Sequence, residues 1–213
     1  MNPHIQQDAL LSSEKLKSGS HQRGIFIDCG SNLGQGFKFF RQYYTPDLYD
    51  YVLVEPNPFC VEVLTAACKE LDGNMRIIAE AAGASVGETK FFGLHEANNV
   101  LSVGGSTLKL HNSKCYTVQE SKAIDVKLFR FATLISEERP KYGSIVVKMD
   151  IEGAEYDVLD DLINSNTHKL IDVLYVEFHS KYMTEPDGSL YRQKEAQLLE
   201  KLVADGVHVR LWM

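Results

Sequence analysis

The stretch 25–36 constrains the fold most, because a short apolar run ends in an acid and passes directly into a glycine-rich turn. Residues 25–27 are apolar, Asp28 ends the run, and three of the next eight residues are glycine. Glycine lets the backbone turn tightly and approach a ligand closely. Phe37, Phe40 and Tyr44 then follow at helical spacing. This order predicts the first strand, turn and helix of an α/β domain, with a ligand site where the strand ends.

The alternation of strand and helix continues to the end of the chain. Further strands are predicted at 51–54, 75–79, 90–92, 144–151, 173–178 and 207–212. Helices are predicted over 58–71, directly after residue 151, and around 198–203 before Asp205 and Gly206. Such alternation is typical of a mostly parallel sheet with helices on both faces. We therefore expect an α/β fold, a single Rossmann-like domain over 23–213.

Two segments stand outside this pattern. Residues 1–22 lack useful periodicity and predict a flexible N-terminal arm, with at most a short helix around 8–17. Residues 94–122 are polar and irregular. A long irregular stretch inside a compact domain is usually functional or disordered, so we interpret this one as a substrate-binding insertion or lid, with a disordered connection as the alternative.

Composition excludes some classes of function. The net charge of −7 disfavours a purely electrostatic nucleic-acid binder, although a local basic patch stays compatible with it. No apolar stretch approaches the ~18 residues of a membrane span, and residues 1–21 lack the apolar core of a signal peptide. The four cysteines form no CxxC pair and are interpreted as reduced thiols. Together these observations predict a cytoplasmic protein without a membrane partner.

The first turn discriminates between cofactors. A dinucleotide-binding turn usually reads GxGxxG, whereas this one reads GxxxGxG after Asp28. An acid at this position disfavours a pyrophosphate and favours a cationic ligand, such as the sulfonium of S-adenosylmethionine. Glu55 ends the second strand, where a carboxylate binds ribose hydroxyls. The turn after the third strand contains Glu80 and Ala81, which we expect beside the adenine. The predicted cofactor residues are Asp28, Gly30, Ser31, Asn32, Gly34, Glu55, Pro56, Glu80, Ala81 and Asp150.

Candidate catalytic groups lie at the ends of the later strands. Asp150 follows one strand, and Glu177 and His179 lie at the end of the next. Because neighbouring parallel strands end at the same edge of a sheet, Asp150 and Glu177 are expected to be close. His179 is a candidate general base with an ordinary pKa near ~6.5, and a structural hydrogen bond is the alternative. We expect no metal, although these residues with Glu152 form an alternative divalent-cation site. Lys148 is interpreted as a paired structural lysine.

These motifs are similar to those of a known family. Five segments together resemble the FkbM family of S-adenosylmethionine-dependent methyltransferases: FIDCGSNLGQG (26–36), VEPNP (54–58), AAGASVGETKFF (81–92), VKMDIEGAEYDVL (147–159) and LYVEFH (174–179). The resemblance implies a class I methyltransferase that methylates hydroxyl groups of sugars or polyketide-type products. By position it assigns Asp28, Gly30, Asn32 and Gly34 to the first cofactor loop, Glu55 to the ribose, and Asp150, Glu152, Gly153 and Glu155 to the site beyond the fourth strand.

The chain also departs from the family pattern. The usual TLD sequence is replaced by RFATLIS at 130–136, without the Asp. The seventh, antiparallel strand has no counterpart after 207–212, so we expect either another segment in its place or a shorter sheet.

The sequence therefore predicts O-methylation of a small hydroxylated acceptor, with carbohydrates included, and leaves oligomeric state open. The alternatives are a nicotinamide-dependent oxidoreductase, a non-catalytic binding module, and a methyltransferase acting on a macromolecule.

Overall fold

The computed structural model describes residues 2–19, 21, 23–93, 105–108, 123–183 and 185–212. Its strands are β1 (Gly24–Cys29), β2 (Tyr49–Val54), β3 (Met75–Ile78), β4 (Ala81–Gly83), β5 (Gly87–Phe91), β6 (Ile124–Arg130), β7 (Ser144–Met149), β8 (Val173–Val176) and β9 (His208–Leu211). Its α-helices are α1 (Pro3–Ser18), α2 (Gln35–Phe40), α3 (Pro58–Lys69), α4 (Phe131–Glu138), α5 (Glu155–Asn164) and α6 (Asp187–Ala204).

The main sheet has six parallel strands in the order β3-β2-β1-β7-β8-β9. Every residue of β1 and β7 is buried, as expected for the centre of a parallel sheet covered on both faces. Each strand predicted for this sheet is confirmed, with ends that differ by a few residues. The expected mostly parallel α/β architecture is therefore confirmed.

Helices cover both faces of this sheet. Alternate residues of a strand point to opposite faces, and neighbouring residues of β1 accordingly enter different cores. Ile25 and Ile27 pack in one hydrophobic cluster with residues of α4, α5 and α6. Phe26 packs in the other cluster with residues of α1, α2 and α3.

A three-stranded sheet in the order β4-β6-β5 lies beside the main one. The extra strand predicted at 90–92 corresponds to β5, which pairs antiparallel with β6. The sequence analysis assigned neither β6 nor α4. Residues 124–128 alternate apolar and polar side chains, a strand signal that was missed next to the irregular stretch 94–122. Residues 130–136, where the family has TLD, form the end of β6 and the start of α4.

The expectation of a flexible N-terminal arm is wrong for most of the segment. Residues 3–18 form α1, which begins at the capping residue Asn2 and buries Ile5, Asp8 and Leu16. Asp8 is paired with Arg210, 202 positions away, at 2.9 Å. Because polar residues contribute to the buried face and their partners are distant, the helix lacks a strong apolar stripe in the sequence.

The carboxyl ends of the central strands lie side by side. Cys29 of β1 is in register with Val54 of β2 and Met149 of β7, and Met149 is in register with Val176 of β8. The residues that follow these four strands therefore meet at one edge. At the far side β9 pairs directly with β8, so in the described part of the chain the main sheet is shorter than that of a seven-stranded methyltransferase. Among the described helices none is long and apolar enough to cross a membrane.

Candidate active site

A cavity of about 340 Å³ opens at the carboxyl ends of β1, β2 and β7. This volume lies within the usual range for small-molecule and cofactor sites, roughly 300–1,000 Å³. The predicted residues that line it are Gly30, Ser31, Asn32, Glu55, Pro56, Ala81 and Asp150. The sequence-based location of the ligand site is thus the location of this cavity.

The first loop packs tightly against the end of β7. Gly30 has a φ of +86°, and a Cβ there would lie 1.8 Å from the Asp150 carbonyl oxygen. The amides of Gly30 and Ser31 both donate to the carbonyl of Val54 at 3.0 Å. Only glycine fits this left-handed backbone and this close approach, so the loop and the strand ends form one rigid wall.

Glu55 is held at the cavity by the backbone. Its Oε2 accepts a hydrogen bond from the Asn32 amide at 2.8 Å, and its Oε1 accepts from the Asn57 amide at 2.8 Å. Burial raises the pKa of Glu55 to about 7, although these two amides oppose the rise. A carboxylate offers about four acceptor positions, and the two amides take only two of them.

Lys148, a residue of β7, connects the first loop to the end of this strand. Its ammonium lies 3.2 Å from Asp28 Oδ1 and 3.2 Å from Asp150 Oδ2, and it donates to the Gly30 carbonyl at 2.9 Å. Burial opposes the charge, but the two carboxylates raise the pKa of Lys148 above its ordinary value. The interpretation of Lys148 as a paired lysine is confirmed, and its position on the cavity wall is new.

This ion pair corrects the argument about Asp28. The sequence analysis placed a cationic ligand beside this acid, whereas the structure places the Lys148 ammonium there. Asp28 is fully buried and is not among the residues described as lining the cavity. Asp28 therefore pairs with Lys148 behind the cavity wall, and burial raises the pKa of its carboxyl although the Lys148 ammonium opposes the rise.

His179 lies in a group of carboxylates at the edge of the cavity. Its Nδ1 is 3.2 Å from Glu155 Oε1, and its Nε2 is 3.5 Å from Asp150 Oδ1 and 3.3 Å from Glu152 Oε2. Burial lowers its pKa, but the hydrogen bond to Glu155 and the nearby carboxylates outweigh it and raise the pKa to about 9. This raised pKa differs from the ordinary value that the sequence analysis assumed for a general base. Catalysis by His179 stays a prediction.

The remaining predicted residues lie at the margin of the site. Glu177 Oε1 is 4.0 Å from His179 Nε2 and 3.3 Å from Lys181 Nζ, so it belongs to the carboxylate group without lining the cavity. Gly34 caps α2 with a φ of 85°. Glu80 lines a neighbouring groove instead of the cavity, because the chain turns away after β3.

Several lining residues were missed. The missed residues are Gln35, Gly36, Val54, Ala82, Phe91, Lys148, Ile151, Ala154 and Trp212. Glu152, which the family resemblance assigned to the site, also lines the cavity, as do Gly105 and Thr107 of the predicted insertion. Trp212 follows β9 and both packs against a hydrophobic core cluster and lines the cavity. Its amide donates to the Val176 carbonyl at 2.8 Å. Of the missed residues, Lys148 had a signal in the sequence, because it is a lysine inside an otherwise apolar strand.

Part of the predicted lid borders the cavity. Gly105 and Thr107 line it, and the Ser106 hydroxyl donates to the Glu152 carbonyl at 2.5 Å. Residues 94–104 and 109–122 lie outside the described residues, so the lid stays a prediction.

Taken together, the parallel sheet, the glycine-rich turn after its first strand and the carboxylate after its second define a Rossmann-like α/β domain with a ligand cavity at the strand ends. Residues 28–213 match the family model of the methyltransferase FkbM domain, and the chain therefore belongs to the FkbM methyltransferase family.

Among solved structures, the methyltransferase FkbM from Methylobacillus flagellatus KT shares 14% sequence identity with the chain, with a TM-score of 0.42. The match covers 72% of this chain and 33% of that one, so the chain spans about a third of that protein's length. No match was found among curated proteins.

Proposed function

We propose that the protein uses S-adenosylmethionine to methylate a hydroxyl group of a small, sugar-like acceptor. The observation that carries the proposal is the charge of the cavity wall. Glu55, Asp150 and Glu152 line it, and Lys148 is the one basic residue among the described lining residues. The Lys148 ammonium is engaged by Asp28 and Asp150. Such a wall favours a cationic ligand without phosphates.

The residues present also fit an adenosyl group. Two acceptor positions of the Glu55 carboxylate are not used by backbone amides, which matches the two hydroxyls of a ribose. Ala81 and Ala82 are small, and Phe91 offers an aromatic surface beside them. Together they suit a flat adenine ring.

When bound, S-adenosylmethionine supplies a methyl group already activated by its positive sulfur. The chain then has to align the acceptor and remove the proton of its hydroxyl. Asp150 and Glu152 are the carboxylates at the cavity placed to take that proton. His179 Nε2 lies 3.5 Å from Asp150 Oδ1 and 3.3 Å from Glu152 Oε2 and helps to hold both carboxylates in position.

Two features support a small, hydroxylated acceptor. The cavity is also lined by Phe91, Thr107 and Trp212, which combine apolar surfaces with one hydroxyl. The net charge of −7 argues against RNA. We also place the protein in the cytoplasm, because Cys29 and Cys68 are free thiols.

The cofactor assignment can be tested with the protein's single tryptophan. Trp212 lines the cavity, so a bound ligand should change its fluorescence. We expect saturable binding of S-adenosylhomocysteine and no binding of NADH. Saturable NADH binding without S-adenosylhomocysteine binding would instead favour the nicotinamide-dependent alternative.

Matched variants localise the binding. Glu55→Ala should lose affinity for S-adenosylhomocysteine by at least tenfold, because charge-assisted hydrogen bonds to the ribose are removed. Glu80→Gln is the control, since Glu80 follows the next strand but lies outside the cavity. Equal losses in both variants would contradict the assignment. Methyl transfer to a panel of hydroxylated sugars, measured with radiolabelled cofactor, then tests the acceptor class.

A further inference from the structure

The group around His179 has the arrangement of a metal site. Asp150, Glu152 and His179 each offer one ligand atom, and these atoms all lie within 4.8 Å of one another. We propose that these three residues bind a divalent cation of the Mn²⁺ class at the wall of the cavity. The binding itself is independent of the proposed function, whereas its catalytic role rests on it.

The distances agree with ligands that share one ion. His179 Nε2 is 3.5 Å from Asp150 Oδ1 and 3.3 Å from Glu152 Oε2. Two ligands that each lie ~2.1 Å from a metal at right angles or tetrahedral angles are about 3.0–3.4 Å apart. A charge-assisted N–H···O hydrogen bond is shorter, at about 2.7–2.9 Å. The observed spacing therefore resembles that of neighbouring metal ligands.

The imidazole ring is also oriented as a ligand. Glu155 Oε1 lies 3.2 Å from His179 Nδ1 and accepts from the His179 amide at 3.0 Å. Its other oxygen accepts from the Gly153 amide at 2.8 Å. A histidine ligand characteristically donates one ring N–H to a carboxylate, which fixes the tautomer and directs the other nitrogen at the metal, where binding of the ion displaces a proton. Here that nitrogen, Nε2, faces Asp150 and Glu152.

The donor types select the ion. Two carboxylates and one imidazole suit divalent ions that accept oxygen and nitrogen ligands together, and no thiolate is present in the group. Cys29, whose carbonyl accepts from the Asp150 amide at 3.0 Å, contributes no ligand atom to the group.

The location gives such an ion a role. Asp150 and Glu152 line the cavity, so the coordination positions that the protein leaves open face the space that an acceptor would occupy. An acceptor hydroxyl bound to a divalent cation loses its proton more readily. Acceptors with two neighbouring hydroxyls could occupy two positions at once, which identifies a vicinal diol as the preferred substrate chemistry.

The experiment measures Mn²⁺ binding by the full chain, without cofactor, from the loss of the free-ion electron paramagnetic resonance signal and by calorimetry. We expect one Mn²⁺ per chain. Glu152→Gln and His179→Gln should each weaken binding by at least tenfold, since even residues that only support a ligand change metal affinity 10–100-fold. Circular dichroism and thermal unfolding verify that each variant is folded. Two variants are used so that the test can still be made if one of them does not fold.

Asp157→Asn is the matched control. It removes one carboxylate from the same helix as Glu155, but Asp157 is exposed and pairs with Lys194, so Mn²⁺ affinity should not change. The proposal is overturned if the wild-type chain does not bind Mn²⁺ at millimolar concentration, or if all variants bind equally, which indicates adventitious sites.

Titration of the same samples with S-adenosylhomocysteine separates the two proposals. Intact S-adenosylhomocysteine binding by a wild-type chain that does not bind Mn²⁺ refutes the cation site alone. The reverse result refutes the cofactor assignment alone.

Discussion

Gly30→Ala tests the packing on which the first loop depends. The new Cβ would lie 1.8 Å from the Asp150 carbonyl oxygen and 2.8 Å from the carbonyl carbon. Both neighbours are backbone atoms of the chain that follows β7, so no side chain can rotate away to make room. The residue would also have to keep a φ of +86°.

Two contributions set the size of the effect. The left-handed backbone costs alanine about 1–2 kcal/mol. Relief of the contact requires a movement that disturbs the bond from the Gly30 amide to Val54 and the bond from Lys148 to the Gly30 carbonyl. These bonds contribute about 1 and 1.5–3 kcal/mol respectively. The expected loss of unfolding free energy is therefore about 3–6 kcal/mol, or a fall in Tm of roughly 6–24 °C for a chain of this size.

Two other glycines provide matched controls. Gly206 has a φ of +88° with nothing within 4 Å of its Cβ position, so Gly206→Ala measures the backbone strain alone, about 1–2 kcal/mol. Gly87 has open space and no left-handed φ, and Gly87→Ala should be neutral or stabilising by up to about 1 kcal/mol. Urea unfolding followed by circular dichroism gives all three values. A Gly30→Ala protein as stable as Gly206→Ala would refute the described packing of the loop.

Three further outcomes are expected. Lys148→Met leaves Asp28 buried without its counter-ion and should lower the free energy of unfolding by about 3–5 kcal/mol in urea denaturation, whereas exposed Lys38→Met should change it by less than about 0.5 kcal/mol. Because the pKa of Glu55 is raised to about 7, its carboxyl group ionises as the pH rises from 6 to 8, and the affinity for S-adenosylhomocysteine measured by fluorescence should rise over this range. Glu55→Gln should abolish this pH dependence, and an unchanged pH dependence in the variant would contradict the assignment. Burial opposes ionisation of Asp8, but its hydrogen bonds outweigh burial and lower its pKa, so its contribution to stability is present above pH ~4 and is lost as the pH falls. The difference in unfolding free energy between wild type and Asp8→Asn, about 1–3 kcal/mol at pH 7, should become smaller by pH 3. A difference that does not change with pH would contradict the pairing of Asp8.

Local patterns were sufficient for the central sheet. β1 and β7 are short, mainly apolar runs bounded by turns or polar residues. Because both faces of these strands are buried, their residues do not alternate between apolar and polar, and the continuous apolar run alone predicts a central strand. The acids that follow such runs, Glu55 and Asp150, were located with them, because the end of a parallel strand fixes where the next residue lies. These features depend on residues close together in the sequence.

The identity of the groups around each acid depended on the tertiary structure. Asp28 and Lys148 lie near the carboxyl ends of different strands, and the pairing of β1 with β7 places them in register, with 3.2 Å between Asp28 Oδ1 and Lys148 Nζ. His179 gained its raised pKa from Glu155, 24 positions away, in another element. A sequence shows that an acid or a histidine ends a strand, but its charge state is set by neighbours across space.

The sequence by itself determined the sheet, the edge at which the ligand cavity opens and the family, because these follow from periodicity and from motifs within single strand–turn–helix units. Only the tertiary structure decided that residues 3–18 form a packed helix, that Trp212 reaches the cavity and that Lys148 neutralises Asp28. Each of these features brings together segments that are far apart in the chain. The interactions between such segments form only when both partners are buried against each other, so no local stretch of sequence reveals them.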